Sequence, residues 1–204
     1  MSFLANKKRA ETFYRYFSLI YDRVNPILYS KTMRRIVVKM ANLKSNSLVL
    51  EVGCGTGYTT YEILKTVDKK NVFAVDISKE QIKIAVSKFK NINIIRGDAE
   101  ALPFKSSIFD ATISAGSIEY WPNPMQGVKE MVRVTKKGGT VVILGPRLPD
   151  NPVLKYLATK LMNFFTTTDY VKLLKNAGLK DIKCVEIGPN SFLSKLAVIV
   201  AGRV

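Results

Sequence analysis

Histidine is missing altogether from the 204 residues, and cysteine occurs only as Cys54 and Cys184. Without an imidazole there is no Ser-His-Asp relay, no histidine general base and no His-ligated zinc, and no metal site is expected. Two cysteines cannot staple a disulfide scaffold and suit a reducing, cytoplasmic setting. Acidic residues are scarce as well: 16 Asp and Glu stand against 32 Lys and Arg, a formal net charge of +16. Long apolar runs are lacking, since no stretch of about eighteen uncharged apolar residues occurs. Residues 1–9 put no apolar core behind their charges, so neither a spanning helix nor a signal peptide is expected. What is present is 47% hydrophobic residues, enough for the core of a single domain.

The positive excess is uneven. Before residue 48 the acids are Glu11 and Asp22, set against a basic series that begins at Lys7 and ends at Lys44. Such a patch suits anionic lipid headgroups or nucleic acid, and equally a solvated basic face on a basic protein.

From residue 48 onward, short β-branched apolar runs alternate with Lys-rich stretches of helical period, the βαβ signature of a parallel sheet buried on both faces. Strands are expected over 48–52, 72–76, 92–95, 109–114, 140–145, 181–187 and 195–201. Helices are expected over 79–89, with Ile82, Ala85, Val86 and Phe89 on one stripe, from Asn123-Pro124 to Gly138, and over 169–177 closed by Gly178. Leu154, Leu157, Leu161 and Phe164/Phe165 give residues 153–165 an apolar face, that of a lid or a membrane-facing helix. Residues 1–47 are helical in pattern, with Phe13, Phe17, Ile20, Tyr21 and Val24 sharing a face, and are expected to cap the sheet's carboxyl edge. The division is then a cap (1–47), a cofactor-binding core (48–145) and substrate-side elements (146–204).

Strand 48–52 runs into Gly53, Cys54, Gly55, Thr56 and Gly57 and then a helix, an arrangement that lets backbone N–H groups approach a ligand closely. A dinucleotide fingerprint requires G-x-G-x-x-G, whereas here Tyr58 takes the sixth position and Glu51 precedes the loop. A carboxylate there would repel a pyrophosphate and suits an ammonium-bearing ligand, which points to S-adenosylmethionine. Asp76 ends the second strand, placed to take both ribose hydroxyls. Asp98 and Ala99 follow the third, placed for the adenine amino group between Ile77 and Leu102. The plainer reading is that Asp76 and Asp98 cap the helices that follow them.

On Glu51-x-Gly53-x-Gly55-x-Gly57, Val75-Asp76-Ile77-Ser78, Gly97-Asp98-Ala99-Glu100-x-Leu102-Pro103-Phe104 and Gly138-Gly139, the chain resembles the class I S-adenosylmethionine-dependent methyltransferases. That resemblance implies an α/β, Rossmann-like seven-stranded sheet, mostly parallel with the last strand antiparallel, and helices on both faces. It places methionine near Glu51 and the glycines, ribose at Asp76 and adenine at Asp98-Ala99, with Cys54, Ser114 and Tyr21 also on the cofactor side. A narrower resemblance runs through Phe13-Tyr14-Arg15, Tyr21-Asp22, Asn25-Pro26, Gly57-Tyr58-Thr59-Thr60, Ser114-Ala115-Gly116-Ser117-Ile118-Glu119-Tyr120-Trp121-Pro122-Asn123-Pro124 and Ile187-Gly188-Pro189. It is to the plastid 2-methyl-6-phytylbenzoquinol methyltransferases, relatives of the ubiquinone and menaquinone C-methyltransferases. The chain departs from them in being short at its C-terminus and in showing no transit peptide or anchor.

The implied chemistry is in-line methyl transfer from a sulfonium to a ring carbon of a phenolic acceptor such as a prenylated quinol, at or near an anionic membrane. Positioning can supply much of that catalysis. Without histidine, the candidates for a base are Glu119 and Tyr120, with Tyr14, Tyr21 or Asp22 from the cap. Glu119 also reads as a loop acid and Trp121 as a core anchor. Phe13, Tyr16, Phe17, Phe164 and Phe165 would line a channel for a prenyl tail, or simply pack the capping helices. Two other functions fit less well: an RNA methyltransferase using the basic surface, for which no Asn/Asp-Pro-Pro-aromatic motif or Pro-Cys nucleophile is present, and a non-catalytic sensor of the cofactor.

Overall fold

In a computed structural model of the chain, which describes residues 29–161, 163–188 and 196–204 with the side chains of 154, 158 and 161 excepted, seven strands form one sheet. They are β1 (Val49–Val52), β2 (Val72–Asp76), β3 (Asn93–Arg96), β4 (Phe109–Ala115), β5 (Thr135–Pro146), β6 (Lys180–Ile187) and β7 (Ala197–Arg203). The order across the sheet is β3-β2-β1-β4-β5-β7-β6. β3, β2, β1, β4 and β5 are parallel, while β7 runs antiparallel to both β5 and β6. This is the seven-stranded, mostly parallel sheet the motifs imply.

Six helices flank it among the described residues: α1 (Lys31–Met40), α2 (Tyr58–Ile63), α3 (Lys79–Lys88), α4 (Pro124–Val134), α5 (Pro152–Leu161) and α6 (Thr167–Asn176). Alternation along each strand sorts side chains to two faces. Leu50 and Val52 enter a core with Val128 and Met131 of α4 and Tyr170 and Leu174 of α6. Val49, one step out of phase, meets Met33 and Val37 of α1 and Ile63 of α2 on the other side. Strands buried on both faces need continuous apolar runs, which is why 48–52 and 140–145 read as strands at all.

Helix ends follow side-chain capping. Ser30, Ser78 and Asn123 accept from Met33 N, Gln81 N and Gln126 N, and Thr166 with Asp169 forms a reciprocal capping box. One helix end and one helix face depart most from the sequence reading. Helix α4 stops at Val134, not Gly138, because Thr135 already pairs with Phe109; the Lys136 to Gly139 segment, which resembles a basic helix end, opens β5 instead. On α3 the buried positions are Gln81 and Ala85, while Val86 of the expected stripe is 49% exposed. The helix is therefore rotated to aim a glutamine inward.

Most of the expected cap, including Phe13, Tyr14, Tyr16, Phe17, Ile20, Tyr21, Asp22 and Val24, lies outside the described residues. The part described as α1 packs on a face of the sheet against β4, β5 and β7 rather than along its edge. Helix α5 confirms a helix at 153–165 but ends at Leu161; Val153, Tyr156 and Leu157 are more than half exposed, and the side chains of Leu154 and Leu161 lie outside the described residues.

Candidate active site

β1 and β4 are neighbours in the sheet, and the chain leaves them in opposite directions, to β2 on one side and β5 on the other. That reversal opens a crevice beyond their carboxyl ends, where open α/β sheets bind ligands. A cleft of about 680 Å³, its open mouth included, lies there. Its wall takes Gly53 and Gly55 after β1, Asp76 and Ile77 after β2, Asp98 and Ala99 after β3, and Tyr120 and Trp121 after β4.

The glycine loop is held from both sides. Gly53 has φ +73°, and a Cβ there would lie 2.3 Å from Ser117 Oγ, so the loop passes the residues after β4 with no room for a side chain. Gly57 has φ +91° and would bring a Cβ within 2.2 Å of the Phe89 ring. Asp76 fastens the loop to the β2 turn: Gly55 N donates to its Oδ2 and Ser78 N to its Oδ1, each at 2.8 Å. Helix α3 is capped by Ser78, so the plainer reading of Asp76 as a helix cap does not hold. Burial raises the Asp76 pKa, against which the backbone N–H groups of Ser78, Gly55 and Ile77 favour the carboxylate. The lone pairs that these N–H groups leave remain for a ligand hydroxyl.

Asp98 serves its own turn: its Oδ1 accepts from Glu100 N at 2.9 Å, and it forms an isolated bridge with Ala101. That turn is locked to α4. Glu100 Oε1 accepts from Asn123 N, Glu130 Oε2 from Leu102 N, and Arg133, paired with Glu130, donates to the carbonyls of Leu102 and Phe104.

Several predicted residues stand behind the wall rather than in it. Glu51 shares the face of Val49, so its carboxylate turns toward α2, where Thr60 Oγ1 donates to Oε2. Burial lifts its pKa to about 7, opposed by that hydrogen bond and by the Arg34 guanidinium. Cys54 is buried with its thiol pKa pushed well up, a packed residue rather than a ligand. Ser114 Oγ lies 2.8 Å from Ser117 Oγ, and it is Ser117 that reaches the cleft. Gly57 serves the approach of Phe89, Leu102 belongs to the core, and Phe164 and Phe165 are not in the wall. Tyr21 lies outside the described residues.

Tyr120 lines the cleft, but Glu119 beside it is 1% exposed and points inward. Its Oε1 accepts from Tyr29 Oη at 2.5 Å and its Oε2 has no partner among the described residues. Burial lifts its pKa to about 7, and the Tyr29 hydrogen bond pulls it back. The Tyr29 ring lies directly behind Gly116 of the wall, where a Cβ would come within 2.6 Å of it. Asn163 braces the same segment, donating its backbone N–H to Glu119 O and its side-chain amide to Trp121 O, both at 2.9 Å. Ser117 and Gln81 are among the wall residues that were not predicted as site residues. Ser117 carries no motif signal of its own, and Gln81, at a position that reads as solvent-facing, is 2% exposed with both side-chain atoms unpartnered.

Comparison with known proteins fits this geometry. A family model described as a methyltransferase domain matches residues 50–143. The chain is 43% identical over 191 residues to 2-methyl-6-phytyl-1,4-hydroquinone methyltransferase 2, chloroplastic, of Oryza sativa subsp. japonica, covering 92% of this chain and 55% of that protein. It is 35% identical over 158 residues to demethylmenaquinone methyltransferase of Staphylococcus saprophyticus, covering 74% of this chain and 68% of that one. The fold matches an S-adenosylmethionine-dependent methyltransferase of Thermotoga maritima with a TM-score of 0.75 at 21% identity, over 94% of this chain and 98% of that one. The chain thus spans just over half the length of the plant relative.

Proposed function

This chain belongs to the S-adenosylmethionine-dependent methyltransferases, and from that premise we propose that it methylates a ring carbon of a prenylated hydroquinone, the substrate class named for its plant and staphylococcal relatives. The observation that carries the reading is the cleft itself, which sets two strand-terminal acids, Asp76 and Asp98, opposite an aromatic wall of Tyr120 and Trp121.

The bound cofactor supplies an electrophilic methyl group on a sulfonium. The protein's part is to hold and orient. Asp76 takes the ribose hydroxyls with the lone pairs its two backbone hydrogen bonds leave, and Gly53 and Gly55 let the loop lie close. Ile77 and Ala99 flank the base. Glu51 acts from behind: by holding Thr60 it fixes α2 and the loop that precedes it, and a cationic ligand nearby would favour its carboxylate form. Tyr120 offers the cleft an aromatic side chain for the acceptor, while Trp121, buried in the core with its ring against Gly127, anchors the segment that carries it. As the ring carbon gains its methyl group the acceptor's phenol and ring must lose a proton. That proton leaves to water at the open mouth of the cleft, while Glu119, buried behind the wall with its carboxyl held by Tyr29, positions the Tyr120 segment.

A prenylated acceptor resides in lipid, and α5 offers a way to reach it. Val153, Tyr156 and Leu157 are exposed on a helix that also carries Lys155 and Lys160, apolar contact beside positive charge in a chain of net charge +16. Among the described residues no helix is long and apolar enough to cross a membrane. The contact we assign is peripheral, to an anionic surface.

The test is transfer of labelled methyl from S-adenosylmethionine into a reduced isoprenoid quinol, the oxidised quinone and total RNA in parallel, with Asp76→Ala as the control. Label in the reduced quinol alone supports the reading. Label in RNA overturns the acceptor, and bound cofactor with label in none of them overturns the quinol reading in favour of another small acceptor or a sensor.

A further inference from the structure

Gln81 is the feature of the cleft that the reaction above leaves without a task. It occupies the first turn of α3, its backbone N–H is satisfied by Ser78 Oγ, and its side chain lies in the wall beside Asp76, Ile77, Asp98 and Ala99. The residue is 2% exposed, yet among the described residues neither Nε2 nor Oε1 has a hydrogen-bond partner. A buried carboxamide left wholly unpaired is destabilising in the protein alone. Its neighbours of similar burial are not treated so: Thr59, Thr60 and Ser114 all find partners.

A carboxamide presents one donor and one acceptor side by side, and a ligand relieves both only if it offers an acceptor and a donor at matching spacing. A ribose diol is a poor candidate. Asp76, an acceptor-only group, claims the hydroxyl hydrogens, which leaves oxygens for Nε2 but nothing for Oε1. An aminopurine edge, an exocyclic amino group next to a ring nitrogen, serves both atoms at once, the pairing that makes glutamine complementary to adenine. We infer that Gln81 is a specificity determinant of the cleft, its carboxamide pairing in bidentate fashion with the amino-bearing edge of the cofactor's base.

This inference rests on the cofactor assigned above, and the experiment separates the two. Binding of S-adenosylhomocysteine to the full chain is measured by calorimetry for the native protein and Gln81→Leu, alongside thermal midpoints without ligand. The substitution weakens binding about tenfold or more, the size of a lost pair of neutral hydrogen bonds. It leaves the ligand-free midpoint unchanged or higher, since unpaired buried polar atoms have been replaced by apolar ones. The penalty vanishes for an analogue dimethylated on the exocyclic amino group, which has no hydrogen to donate, and persists for the 2′-deoxyribose analogue. Equal affinity for S-adenosylhomocysteine in both proteins, a penalty that follows the ribose instead of the base, or a lowered ligand-free midpoint with affinity lost in proportion would each overturn the role. Failure of the native protein to bind S-adenosylhomocysteine would overturn the cofactor assignment itself and this inference with it.

Discussion

The Tyr29 hydroxyl donates a 2.5 Å hydrogen bond to Glu119 Oε1, joining the residue that precedes the first described helix to the segment that follows β4. Both partners are buried, and the second carboxyl oxygen of Glu119 is unpaired.

Burial of such carboxyls sets a pH dependence. Burial raises Glu119 and Glu51 from 4.5 to about 7 in the folded chain. Between those values the native state holds protons that the unfolded chain has released, so stability is full below about pH 4.5 and is lost as pH rises through about 7. The loss is at most about 3 kcal/mol per group. Urea unfolding of native protein and Glu119→Gln at several pH values across that window should show the variant falling less steeply. Identical slopes would remove Glu119 from this account.

Gly53→Ala should be costly where Gly138→Ala is mild. Both positions have positive φ, +73° and +76°, but an added Cβ meets Ser117 Oγ at the first and nothing within 4 Å at the second. The shared backbone strain is worth about 1 kcal/mol. At Gly53 the displacement of Ser117 also disturbs its contacts with Ser114 and the Val52 carbonyl, taking the total to about 2 kcal/mol or more. Thermal midpoints of the two variants check the ordering, and equal values would contradict it.

Asp76→Asn turns an amide NH2 toward one of the two backbone N–H groups that now meet carboxylate oxygens. We expect at least a tenfold loss of affinity for S-adenosylhomocysteine by calorimetry, with a stability loss of about 1–3 kcal/mol. Unchanged affinity would place the nucleoside elsewhere.

Tyr156→Asp combined with Leu157→Asp should abolish sedimentation with anionic vesicles at high salt, because two of the three exposed apolar side chains described on α5 are replaced by charge. The native protein should stay bound above about 0.5 M salt, where the Debye length is only about 4 Å. Complete release of the native protein by salt would reduce the contact to electrostatics alone.

The sheet was legible in the sequence because a strand buried on both faces cannot disguise its apolar run, and the loop was legible because closely spaced glycines are needed at Gly53, Gly55 and Gly57. The start of β5 was not, since Thr135 joins the sheet through backbone pairing while Lys136 and Lys137 look like the basic end of a helix. Glu51 was identified as a site residue, but its direction depends on strand phase, which puts it with Val49 toward Thr60 on α2. Gln81 was missed for the opposite reason. A polar residue on a lysine-rich helix reads as solvated, and only its neighbours in space show it turned inward.

The insertion of β7 between β5 and β6 orders the assembly of the chain in time. Among the described residues β6 borders no strand but β7, so although it is made first it has no place in the sheet until Ala197 to Arg203 arrive to seat it. The nucleoside half of the cleft, built on β1 to β4, needs neither. On the ribosome that half can take shape while the outer edge of β5 stands bare, an invitation to the wrong neighbour that lasts until Ala197 to Arg203 have been made.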